Sequence, residues 1–173
     1  MRKGLLTVFV LLLSFMLVAC SNDSSGESVV KDIKEKVHEY SVGSFEDDVT
    51  ASITSHELIV NEKGKETAFD LPSDEFFVSI APFVETTHPC AIHSLTGCQG
   101  ELVEKEFDVL IQDEDGNVVV DETITSLENG FIDLWLPRDK NYQVKITHED
   151  KTVESTISTF EGDNTCITTM QLT

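Results

Sequence analysis

The stretch KEFDVLIQDEDGNVVVDETIT, residues 105–125, decides how the rest of the chain is read. It holds two β-prone runs, KEFDVLIQ and NVVVDETIT, joined by DEDG. An Asp-Gly pair tolerates the positive φ of a tight hairpin turn, so the segment predicts two antiparallel strands. Asp113 and Asp115 around Gly116 also suggest a calcium loop. The twelve-residue ligand pattern of such loops is incomplete here, and a hairpin turn is the simpler reading.

The same pattern continues on either side. EFFVSIAPFV (75–84) alternates, with Phe76, Val78 and Ile80 on one face. GFIDLWLP begins at the turn-forming Asn129-Gly130, YQVKITHEDKTVESTIST (142–159) reads as another hairpin, and TCITTMQLT (165–173) as a final strand. Roughly seven short strands with almost no helical periodicity predict an antiparallel β-sandwich or a barrel-like domain over residues 72–173. Upstream, VVKDIKEKVHEY (29–40) spaces Val30, Ile33, Val37 and Tyr40 as one face of an amphipathic helix. In TASITSHELIVNEKGKETAFDLP (50–72), two β-prone runs flank the turn-forming NEKGK. Residues 29–71 are therefore expected to form a small helix-plus-hairpin lobe. The fold class expected is mostly β, α+β overall.

The chain opens MRKGLLTVFVLLLSFMLVACSNDSSGES. Arg2 and Lys3 precede an apolar run from Leu5 to Val18 that is short for a membrane span. It ends on Leu17-Val18-Ala19-Cys20, which looks like a bacterial lipobox, with residues 1–19 as signal peptide and Cys20 as the lipidated residue. The polar run after it, through residue 28, suits a solvated tether. An ordinary signal peptide or an uncleaved anchor are the competing readings. Cleavage before Cys20 removes two of the 12 basic residues and none of the 32 acidic ones, leaving ten against 32 and a net charge of −22. So acidic a surface repels nucleic acid and anionic headgroups, which leaves lipid on Cys20 as the expected membrane contact.

If Cys20 carries lipid, three of the four cysteines remain, an odd number for an oxidising compartment. HPCAIHSLTGCQGE (88–101) holds Cys90 and Cys98 with His93 between them and His88 just before. A helical turn over Ala91–Thr96 would put Cys90 and His93 on one face, and Gly97 and Gly100 would let Cys98 bend back toward them. Pro89 holds His88 extended. Cys166 supplies a third sulfur if the last strand neighbours this loop. Soft thiolates select Cu(I), zinc or iron–sulfur clusters. Three sulfurs suit Cu(I), while zinc through Cys90, Cys98, Cys166 and His93 is the alternative metal. One disulfide plus a buried free thiol is the reading without a metal. There is no CxxC motif, and nothing marks an oxyanion hole for a Cys–His nucleophile. Met170 would lie about 13 Å along a straight strand from Cys166, which makes it a core residue.

At these residues the sequence resembles a known family. APFVETTHPCAIHSLTGCQGEL (81–102), NGFIDLWLPRDKNY (129–142) and DNTCITTM (163–170) look like the CueP family of bacterial periplasmic copper-binding proteins. The resemblance covers roughly residues 45–173 and takes in all three remaining cysteines. It implies that Cys90, Cys98 and Cys166 handle copper, with His93 between the first two. It further implies a part in copper tolerance, copper supply to a superoxide dismutase, and a homodimer with an N-terminal lobe and a β-rich C-terminal domain. The lipobox departs from the soluble members and puts the dismutase client in doubt. The expectation is an extracytoplasmic lipoprotein on the outer face of the membrane that holds Cu(I) for buffering or relay. Its partners would be a copper-receiving protein or a thiol–disulfide reductant. It would not be a turnover enzyme, although its thiols could reduce Cu(II) stoichiometrically. The alternative is a zinc-binding or disulfide-stabilised adhesion module.

Overall fold

The computed structural model describes the backbone of residues 24–173 and the side chains from residue 29 onward. The expected signal peptide and the expected lipidation site at Cys20 lie outside the described residues. The helix α1 (Ser24–Val42) extends beyond the 29–40 periodicity at both ends. It lays Ile33 and Val37 on an antiparallel meander of β1 (Val49–Ile53), β2 (Glu57–Glu62) and β3 (Lys65–Asp70). The turn between β2 and β3 is Lys63-Gly64, both at positive φ (53° and 77°), as a two-residue hairpin of matching twist requires. Ala51, Ile53, Leu58 and Val60 form the sheet's side of this core, closed by Leu71, Leu95 and Phe77.

Phe77 belongs to β4 (Glu75–Ile80), which is buried on both faces from Phe76 onward. Its even residues Phe76, Val78 and Ile80 point into a second core, while Phe77 joins the first. That explains the near-continuous apolar run in the sequence. Each fully buried phenylalanine contributes about 1.5–3 kcal/mol. A two-residue strand, β5 (His93–Ser94), then pairs with the free edge of β1.

The hairpin read at 105–125 forms as β6 (Glu106–Asp113) and β7 (Val118–Thr125), with a register shift between Ile111 and Gln112. Asp113 caps its turn: the carboxylate accepts the N–H groups of Asp115 and Asn117, the Asn117 amide and Lys140 Nζ. Gly116 takes φ 81° there. The carboxylate is thus a turn cap, and these contacts hold it below the usual carboxylate range, the Asn117 side chain most strongly. The remaining strands are β8 (Ile132–Pro137), β9 (Asn141–His148), β10 (Lys151–Ser158) and β11 (Cys166–Ile167).

Two sheets, ordered β10-β9-β6-β7 and β11-β4-β8, face each other across the larger core. Phe107, Val109 and Ile111 of β6 meet Ile132 and Leu136 of β8, with Tyr142, Val144, Ile146 and the fully buried Met170. The architecture is a mostly β sandwich with one helix; among the described residues no sheet closes into a barrel. One expectation changes: the final run is not an antiparallel strand. β4 gives one edge to β8, so the C-terminal segment uses the other, where Cys166–Ile167 runs parallel to Ser79–Ile80. A single parallel bridge, Phe83 to Gln171, continues it.

Candidate metal centre

The parallel pairing of β11 with β4 sets Cys166 directly beside Ser79. The 88–98 loop lies over both strands, because the N–H groups of Thr165 and Cys166 donate to Ala91 O (3.0 and 3.1 Å). Thr165 ties three segments together: its hydroxyl donates to Ile53 O at 2.6 Å and accepts the His93 N–H at 3.0 Å. These bonds require His93 to be extended, opposite Ile53. The helical turn expected over Ala91–Thr96 is therefore replaced by β5 and a tight turn, in which the Cys98 N–H donates to Ser94 O. Cys90 and His93 meet through this folding-over of the loop. Helical spacing plays no part.

The sulfurs of Cys90, Cys98 and Cys166 and a nitrogen of His93 all lie within 4.8 Å of one another. Cys90 and Cys166 are joined as a disulfide, their Cα atoms 5.6 Å apart, and Cys98 is a free, half-buried thiol with its sulfur 3.5 Å from that of Cys90. His93 is fully buried, its Nδ1 3.4 Å from Cys166 Sγ and its Nε2 3.3 Å from Ser79 Oγ. Ala81 and Phe131 wall the cluster, with the Phe131 ring centroid 4.5 Å from that of His93. Burial, with a smaller contribution from the charge of His88, lowers the pKa of His93 to about 4, so the imidazole is neutral at physiological pH. His88 is half-buried, its ring 6.4 Å from that of Phe131, and it is outside the four-residue cluster.

Several supporting residues carry no motif. Glu101 accepts the N–H groups of Val84, Glu85 and Thr86, clamping the start of the loop to its end; these bonds, Thr86 foremost, lower its pKa. Gly100 is needed for close approach, since a Cβ there would sit 2.5 Å from Gly130 O. Behind His93, the Ser79 hydroxyl donates to Asp133 Oδ1 at 2.5 Å and the Ser41 hydroxyl to Asp133 Oδ2 at 2.7 Å. Burial pushes the Asp133 carboxyl up against the lowering effect of those two hydroxyls. Ser79 and Asp133 face each other across β4 and β8. A polar residue breaking each of two apolar strands, FFVSI and FIDLW, was the signal in the sequence.

The sequence matches the family described as "Periplasmic copper-binding protein CueP" over residues 29–171. The chain belongs to the CueP family. Among solved structures, the crystal structure of S. CueP aligns with a TM-score of 0.77 and 33% identity, over 87% of this chain and 98% of that one. No curated protein matches the chain. The CueP-type cluster has donors that suit a soft ion. Sulfur ligands about 2.3 Å from a shared ion lie about 4 Å from each other in a trigonal array. The 3.5 Å separation of the Cys90 and Cys98 sulfurs is close to that spacing, whereas the Cys90–Cys166 bond has to open before the third sulfur can take its place.

Proposed function

We propose that this CueP-family chain is an extracytoplasmic, lipid-anchored carrier of Cu(I), held by the thiolates of Cys90, Cys98 and Cys166 with His93 Nδ1 beside them. The observation that carries the reading is the convergence of three sulfurs and one neutral, buried imidazole, with Cys90 and Cys98 partly open to solvent. That donor set favours a soft ion over calcium or magnesium; three cysteines and a histidine would also satisfy zinc, and the match to a copper-binding family is what supports Cu(I). The carrier has two forms. With Cys90 and Cys166 bonded, one thiol remains and Cu(I) is held poorly; reduction restores the three-sulfur site. Oxidation of those two thiolates releases two electrons, enough to convert two Cu(II) to Cu(I), which makes the pair a stoichiometric reductant. The cargo is buffered or passed to a copper-receiving protein.

The disulfide itself favours a second reading, in which it is a structural staple of an interaction module. One experiment separates the two. Cu(I) is titrated anaerobically against a chromogenic competitor into the oxidised protein and into protein treated with a mild reductant. The carrier reading expects tight binding after reduction only, with the fold retained by circular dichroism. Equal affinity of both samples overturns the two-form carrier, and unfolding on reduction establishes the staple.

A further inference from the structure

Behind the sulfur cluster, His93 lies against Cys166, its Nδ1 3.4 Å from Sγ, and a file of hydrogen-bonded side chains runs inward from the ring: His93, Ser79, Asp133, Ser41. We propose that Asp133 is a positioning residue for the centre: acting through Ser79, it fixes His93 with its proton on Nε2, so that the Nδ1 lone pair faces Cys166 and the bound ion. This deepens the copper reading above and rests on it for the identity of the ion.

The tautomer of His93 follows from which atom donates each proton along the file. A neutral imidazole has one N–H and one lone pair, and a serine hydroxyl has a single proton to give. With Asp133 ionised, which the two donated hydroxyls favour against the upward push of burial, Ser79 gives its proton to Oδ1 at 2.5 Å. The other carboxylate oxygen receives the Ser41 hydroxyl at 2.7 Å. With its proton committed to Asp133, Ser79 can only accept from its other neighbour, which is His93 Nε2 at 3.3 Å. The ring therefore carries its proton on Nε2. Nδ1 is left with its lone pair, 3.4 Å from Cys166 Sγ, which has no proton to give while it is in the disulfide. In the reduced, ion-free protein this lone pair receives the Cys166 S–H; when the thiol proton has left, the same lone pair is free for the metal. If the carboxylate is removed, Ser79 can turn its proton to Nε2. The imidazole proton then moves to Nδ1 and blocks the ligand position.

Metal-binding histidines commonly give their second N–H to a carboxylate, and loss of such a partner weakens affinity by about 10–100-fold. Here the carboxylate acts through one hydroxyl. Asp133 is not among the clustered donors, and the Ser79 hydroxyl meets the cluster at His93 Nε2, so the side-chain route from the carboxylate to the ion runs through the ring.

The test is nitrogen-15 NMR of the His93 side chain in the reduced, metal-free protein, followed by competitive Cu(I) titration of the same samples. Wild type should show a protonated, pyrrole-like Nε2 and a pyridine-like Nδ1. Asp133→Leu should exchange the two signals and weaken Cu(I) binding about 10–100-fold. Ser79→Thr, which keeps the hydroxyl, should retain the wild-type pattern, and Ser79→Ala should give averaged shifts. A wild-type proton on Nδ1, or unchanged His93 signals in Asp133→Leu, overturns the proposal. If Asp133→Leu does not fold, the contrast between Ser79→Thr and Ser79→Ala decides. Wild type that shows the expected tautomer but binds no Cu(I) refutes the copper reading and leaves the positioning role standing.

Discussion

His93 should make the protein lose stability as pH falls below about 6.5. The folded state holds this ring neutral, with its pKa lowered from 6.5 to about 4, chiefly by burial. Above pH 6.5 neither folded nor unfolded chain protonates it. As pH falls toward 4 the unfolded chain takes up a proton that the folded chain refuses, so stability is lost on acidification and the loss is complete below about 4. The separation is worth about 3 kcal/mol in full. Between pH 7.5 and pH 5 the loss is about 2 kcal/mol. The residue is fully buried, so solvent screening does not discount the figure. Asp133, whose carboxyl is pushed up by burial, has the opposite sign, since its folded form gains a proton before the unfolded one. The measurement is therefore a difference: urea unfolding of wild type and His93→Leu at both pH values, with the disulfide intact. Wild type should lose about 2 kcal/mol more than the variant. Parallel losses would refute the assignment of a neutral, water-excluded imidazole.

Three further outcomes test the centre and its anchor. Cys98→Ser should leave the Cys90–Cys166 disulfide in place on peptide mapping, yet weaken Cu(I) binding by the reduced protein beyond the about 10–100-fold cost of losing a supporting residue. In the same titration His93→Ala should cost more than His88→Ala, because His88 is outside the cluster; the reverse order would refute the ligand set. Cys20→Ala should abolish lipid on the mature N-terminus, as read by mass spectrometry, while copper binding by the purified protein is unchanged.

The strands were legible because their chemistry is local. Alternation in EFFVSI and the Asp-Gly turn at 115–116 depend on neighbours a few positions away, and both hold in the sandwich. Bringing Cys166 to the loop depends on a contact across 76 positions, so the sequence could only pose it as a condition. The supposed helical turn after Cys90 failed for a related reason. Spacing alone allowed it, but the free edge of β1 and the Thr165 hydroxyl draw His93 into a strand. Ser79 and Asp133 were overlooked because each is an ordinary polar residue taken singly. Their meaning lies in the cross-strand register that sets them opposite each other beneath the imidazole.

The late position of β11 has a consequence for how the sulfurs find each other. In an unfolded chain, Cys90 meets Cys98 across eight positions far more readily than it meets Cys166 across 76. The difference in closure entropy favours the local pair by about 2 kcal/mol, on the order of thirtyfold. The folded chain nonetheless joins Cys90 to Cys166. The long-range bond thus records that the C-terminal segment has docked. Until that happens, early oxidation should collect in the short loop. Because Cys98 stays 3.5 Å from Cys90, its thiolate is the natural leaving group when Cys166 arrives to displace it. A chain truncated after Gly162 should accordingly accumulate the Cys90–Cys98 bond under oxidising conditions, detectable by peptide mapping. The full-length chain should pass through that bond and leave it. The order of the cysteines along the polypeptide then works as a completeness check, in which only a finished chain can exchange the local bond for the native one.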